Sequence, residues 1–106
     1  MAIEWLKSIE DNENISIQHA ISRGEMRIHI ENGKWIFLDG FCKENNTVYE
    51  FHGDYWHGNP SIYNADEINE KIGVSFGELY ERTINREKLI RKLGYELITM
   101  WESDLK

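Results

Sequence analysis

Cysteine and proline are nearly absent, with one of each in 106 residues. A lone Cys42 excludes an internal disulfide and fits a reducing compartment, so a cytoplasmic location is expected. With Pro60 alone, and no repeat or low-complexity tract, nothing reads as a linker, and residues 1–106 are expected to form a single domain. No apolar run approaches the roughly 20 residues of a membrane helix. Met1 to Glu10 lacks the basic start, apolar stretch and small-residue cleavage site of a secretory leader. Glycines never gather into a phosphate-cradling loop, which argues against P-loop and dinucleotide motifs. Basic residues are in deficit, 12 against 19 acidic, for a formal net charge of −7. That sign repels nucleic acid in general, because non-specific affinity comes from neutralising phosphates with Lys and Arg.

What is present is ordinary globular material: 41% hydrophobic and 29% charged residues, a balance that argues against disorder. Ala2 to Glu10 has helical spacing, with Ala2, Trp5, Leu6 and Ile9 on one arc. The helix starts with no N-cap upstream, as expected either of a piece excised from a longer chain or of an unusually abrupt N-terminus. From Ile15 the period becomes two. Met26, Ile28 and Ile30 alternate with Arg27, His29 and Glu31, and Asn32-Gly33 predicts a tight type I′ hairpin. A second strand, Lys34 to about Phe41, is nearly all apolar and predicted to be buried on both faces. Thr47 to His52 is a third strand, completing an antiparallel three-strand meander. A turn-rich stretch follows from Gly53, with a short helix expected at Ala65 to Ile72.

Ser75 then opens a long helix, with Glu78 completing a capping box. Phe76, Leu79, Tyr80, Thr83, Ile84, Ile90 and Leu93 form its apolar stripe. Gly94 stops it, and Tyr95 to Trp101 is a last strand. The order predicts a small α/β layer fold, a mixed sheet flanked by helices.

The chemistry concentrates between Asp39 and His57. Alternation puts Val48, Glu50 and His52 on one strand face and Tyr49 and Phe51 on the other. If Asp39 of the neighbouring strand joins Glu50 and His52, carboxylates and an imidazole meet at one sheet end. Asp54 and His57 follow in a loop held by Tyr55 and Trp56. Converging carboxylates suit a hard cation such as Mg²⁺, and an imidazole can take a proton from an attacking water. Metal plus positioned water is the kit for phosphodiester hydrolysis. The competing structural reading makes Asp39 and Asp54 turn residues, Glu50 and His52 the solvated side of an edge strand, and His57 a packing residue. Cys42, His52 and His57 do not make a zinc pattern. On the long helix, Arg82, Arg86, Lys88, Arg91 and Lys92 form either a solvated face interleaved with Glu81 and Glu87 or a basic strip for a phosphate backbone.

Three stretches carry a resemblance: Asp39-Gly40, FHGDYWHG at 51–58 and NREKLIRKLGYELITMWESD at 85–104. The chain resembles the very-short-patch-repair-like (Vsr-like) endonucleases, and more closely the phage EDxHD-family homing endonucleases of the PD-(D/E)xK superfamily. The resemblance implies a small restriction-endonuclease-like fold and a Mg²⁺- or Mn²⁺-dependent DNA endonuclease acting on double-stranded DNA, with dimerisation on DNA plausible. Sequence recognition would lie in a separate region of a longer protein.

By this resemblance Asp39 matches the central metal-binding aspartate, and His52 the histidine after the third strand. Glu50 stands where the superfamily places its acid, whereas the repair enzymes use the backbone carbonyl that matches Phe51. His57 matches a second active-site histidine. Asp54 is a candidate for the final Asp of the EDxHD name, and Glu4, with Glu25 as its rival, for the first Glu. The cysteine and histidine cluster of the repair enzymes' structural zinc is missing, and their mismatch-intercalating aromatic residues have no clear counterpart. The alternatives are a mismatch-nicking repair enzyme or a non-catalytic DNA- or protein-binding domain of the same fold. Against the last stands the cost of idle buried charge.

Overall fold

A computed structural model describes residues 2–22, 24–30 and 33–105. The chain is an α/β protein dividing into two compact units: Met1–Phe51 with Tyr95–Thr99, and His52–Gly94 with Met100–Lys106. No helix among the described residues is long and apolar enough to cross a membrane.

In the first unit, helix α1 (Ala2–Glu13) buries Trp5 and Leu6, the apolar arc expected from its spacing. Trp5 meets Tyr49 edge-on, ring centres 6.1 Å apart, and Phe51 at 6.0 Å. One face of strand β4 (Thr47–His52) is thereby covered by α1. Strands β1 (Arg27–His29) and β2 (Trp35–Phe37) form an antiparallel ribbon, Ile28 opposite Ile36. Strand β3 (Gly40–Cys42) pairs antiparallel with β4, Phe41 opposite Val48. Strands β3, β4 and β7 (Glu96–Trp101) share one sheet in that order.

The meander therefore differs from expectation. The predicted second strand is broken at Leu38–Asp39 into β2 and β3, which pair with different partners in separate sheets. Its first half is not buried on both faces: Trp35 and Phe37 are about half exposed, while Ile36 and Leu38 are buried. Uniform apolarity hid an ordinary in–out alternation. Arg27 lies over the exposed Trp35 ring at 4.8 Å and His29 packs beside it, so aromatic and cation–π contact replaces the missing cover. Asn32 of the expected hairpin turn lies outside the described residues. Around it, Ile30 donates its N–H to Lys34, and Gly33 has φ +80°.

In the second unit, one-turn helix α2 (Asp54–His57) replaces the expected loop. The helix expected at Ala65–Ile72 is also absent. Instead β5 (Ile68–Asn69) and β6 (Val74–Ser75) form a small antiparallel ladder. Fully buried Asn69 decides this, its Oδ1 accepting from the N–H groups of Lys71 and Ile72 while its Nδ2 donates to the Tyr55 carbonyl. A side chain that supplies its own turn competes with helix.

Helix α3 (Phe76–Lys92) is capped by Ser75, whose hydroxyl accepts from the Glu78 N–H at 3.1 Å. Glu78 does not close the reciprocal half of the capping box; its carboxylate pairs with Arg82. Phe76, Leu79, Thr83 and Ile90 are buried as expected, but Leu93 is exposed. A final 3-10 turn spans Glu102–Asp104.

Candidate functional site

The first unit holds the carboxylate pair. With Gly40 opposite Tyr49, the next position in register sets Asp39 opposite Glu50. Backbone pairing stops there and side chains take over. Glu50 Oε2 accepts the Asp39 N–H at 3.2 Å, and Asp39 Oδ2 accepts the Phe51 N–H at 2.8 Å. Gly40 lets the bend at Asp39 sit close over the core, since a Cβ there would lie 2.7 Å from Leu6 Cδ2 and 2.9 Å from Ile17 Cγ2. Asp39 is half-buried and Glu50 only 3% exposed. Glu50 is therefore not the solvated side of an edge strand. It projects from the middle strand of its sheet, away from the face that α1 covers.

The two opposed carboxylates offer oxygen donors alone. That suits a hard cation that keeps part of its water shell. Among the described residues no cluster of three or more His, Cys, Asp or Glu forms a complete metal cage. Glu4 is exposed on α1 and takes no part in the carboxylate pair, and Glu25 is exposed ahead of β1.

The second unit gathers the imidazoles. His52, 2% exposed, has Nε2 2.9 Å from Glu87 Oε2. Its ring centre lies 4.8 Å from that of His57 and 5.1 Å from that of Trp101. Glu87 also faces Arg91 at 3.7 Å. Thr83 Oγ1 donates back to the Leu79 carbonyl at 3.0 Å and stands 3.1 Å from His57 Nδ1. Which of the two groups donates across that contact depends on the tautomer of the imidazole.

Asp54 is tied into a buried clasp. Its Oδ1 accepts from Asn59 Nδ2 at 2.8 Å and from Ser103 Oγ at 3.2 Å, and its N–H donates to Glu102 Oε1. These bonds join the turn after α2 to the C-terminal 3-10 turn.

Glu87 escaped the sequence reading, where it counted only as a charge on a solvated face. Its position holds the missed signal: 76, 79, 83, 87 and 90 follow one another at three- and four-residue steps, so Glu87 falls on the buried stripe. A carboxylate there requires a polar partner, and His52 is that partner.

A pocket of about 290 Å³ opens in this unit, lined by Trp56, His57, Ile72, Leu79, Arg82, Thr83 and Arg86. No family model, curated protein or solved structure matches the chain.

Proposed function

We propose that the chain is a metal-dependent DNA endonuclease domain that hydrolyses phosphodiester bonds, of the site-specific homing type. The observation that carries this reading is the Asp39–Glu50 pair. Two acidic side chains that meet across a strand pair bring several oxygen ligands to one point, the donor chemistry that a hard divalent cation takes. Asp39 and Glu50, with the Phe51 carbonyl, would hold Mg²⁺ or Mn²⁺, which supplies Lewis-acid activation of water and neutralises charge on the phosphate.

Proton transfer is assigned to the imidazoles. Glu87 holds the His52 ring at Nε2, and Thr83 meets His57 at Nδ1. Asp54 is placed in the scaffold, and Glu4 stays a candidate on its sequence position alone. The experiment is cleavage of supercoiled plasmid with Mg²⁺ and with EDTA. Metal-dependent nicking or linearisation that disappears in Asp39→Ala and His52→Ala supports the reading. Cleavage unchanged in both variants, or none by the native chain, defeats it.

A further inference from the structure

Strands β1 and β2 present two unlike faces. Arg27 stands opposite Phe37 and His29 opposite Trp35, and all four are exposed. The other face carries Ile28 and the buried Ile36, which anchors a ribbon that two strands alone would leave marginal. On the outer face Arg27 lies over the Trp35 ring at 4.8 Å, and the His29 ring centre is 4.7 Å from that of Trp35. Trp35 and Phe37 each keep about half of their surface in the open. Acidic residues outnumber basic ones 19 to 12 in the sequence, yet among the described residues Arg27 makes no ion pair and no hydrogen bond. Glu25, two residues ahead, is exposed and does not pair with it. The N–H donors of the guanidinium therefore stay available beside the ring.

We propose that this face binds a single-stranded DNA segment, with unpaired bases stacked on Trp35 and Phe37 and a phosphate held by Arg27. The residue types favour that occupant over a second copy of the chain. Two copies meeting face to face would bring their Arg27 side chains together while each carries a net charge of −7. A nucleic-acid strand instead supplies the anion that Arg27 lacks and the flat groups that exposed rings accept. A duplex hides its base faces, so stacking requires bases out of the helix. The spacing points the same way. Trp35 and Phe37 lie two residues apart on one strand, about 6.6–6.8 Å, twice the roughly 3.4 Å between bases stacked along one strand. The two rings therefore take neighbouring bases only when the strand's own stack is opened. Aromatic side chains on a sheet face that stack splayed bases are a general mode of single-strand recognition. Naming DNA rests on the endonuclease reading; the stacking and phosphate chemistry of the face does not.

The test uses the whole chain in EDTA, so that binding is read without cleavage. Fluorescence anisotropy compares a labelled oligothymidylate of about eight nucleotides, within the size range of a single-strand site, with its duplex and with an abasic strand of equal length. The expected result is saturable binding of the oligothymidylate, several-fold tighter than of either control. Trp35→Ala should weaken it by about tenfold, the order of one lost base–ring stack. Trp35→Phe keeps a ring at the position and should restore most of that loss. Arg27→Gln should reduce the slope of log affinity against log salt by about 0.7, one phosphate contact on a single strand. No saturable binding, or equal affinity in the native chain and Trp35→Ala, overturns the proposal. An abasic strand bound as tightly as the oligothymidylate overturns the stacking, and a duplex bound as tightly overturns the single-strand assignment. A native dimer in sedimentation that Trp35→Ala dissolves gives the face to a second copy and overturns the proposal as well. Oligothymidylate binding without Mg²⁺-dependent plasmid cleavage defeats the endonuclease reading alone, whereas cleavage with no oligothymidylate binding defeats this face alone.

Discussion

Asp39 and Glu50 face each other across the β3–β4 pair, and each carboxylate accepts a backbone N–H from the other's strand: Glu50 from Asp39 itself, Asp39 from Phe51. The exchange replaces the next backbone rung of the ladder. It also explains the broken second strand, because the Asp39 N–H is spent on a side chain where a continuous strand would have paired it with backbone.

This pair makes metal binding measurable without any substrate. Millimolar Mg²⁺ or Mn²⁺ is expected to raise the melting temperature of the native chain, since a ligand at a hundredfold its dissociation constant adds about 2.7 kcal/mol. Glu50→Gln keeps an acceptor for the Asp39 N–H and removes one charge from the pair, so the variant should stay folded. The metal-induced rise should vanish in that variant. Scanning fluorimetry across a metal titration reads both, and a native melting temperature indifferent to either cation removes the site.

Glu87 tests the imidazole side. Glu87→Ala deprives the buried His52 Nε2 of its partner, a loss of about 1–3 kcal/mol by the usual cost of an unsatisfied buried group. Glu87→Gln retains a hydrogen-bonding oxygen and should recover most of that. Urea unfolding of the three proteins gives the ordering; equal stability of Ala and Gln variants would mean that the 2.9 Å contact contributes nothing.

Tyr49 is fully buried, and among the described residues its hydroxyl has no hydrogen-bond partner. Burial pushes the phenol up from its ordinary 10.0, with Glu13 and Cys42 adding to the rise and the Asn45 side chain opposing it. A raised folded value means that the neutral form is favoured by folding. The contribution is complete below pH 10 and declines as pH climbs through the folded value. Tyr49→Phe is expected to cost little or to stabilise at neutral pH, and to abolish this alkaline component. Urea midpoints from pH 8 to 11 for both proteins check it; parallel curves would refute it.

Patterns with a clear period were legible in the sequence. The arc of α1, the face alternation of β4, the Ser75 cap and the stop at Gly94 all follow from local rules that tertiary contacts reinforce. Two segments were not legible, for physical reasons. A nearly all-apolar stretch at 34–41 cannot reveal that Asp39 surrenders its N–H to a residue eleven positions away. At 65–72 helical propensity loses to Asn69, whose amide closes a turn and reaches Tyr55, a contact no window of that length contains. For the site, residue types clustered between Asp39 and His57 pointed to the carboxylate pair. Glu87 was missed because a charge on a helix is read as solvated until its place on the buried stripe is noticed, and the bond between Asp54 and Ser103 joins residues far apart along the chain.

The close approach of α2 and α3 depends on one backbone position. Gly58 ends α2 in the left-handed region, φ +65° and ψ +49°. A Cβ there would overlap the Phe76 carbonyl oxygen and sit 3.0 Å from the Tyr80 nitrogen, both backbone atoms of α3. Backbone cannot rotate away as a side chain can, so Gly58→Ala forces the two helices apart. Gly94 supplies the control, because its φ of +99° carries the conformational penalty while nothing lies within 4 Å of an added Cβ. Gly94→Ala should therefore cost about 1–2 kcal/mol, the left-handed penalty alone. Gly58→Ala should cost that plus an overpacking term of about 1–3 kcal/mol, and should shift the NMR signals of His57 and Thr83, which the Gly94 variant leaves in place. Equal losses in urea unfolding would show that α2 yields freely, and the fixed His57–Thr83 geometry assigned to proton transfer would go with it.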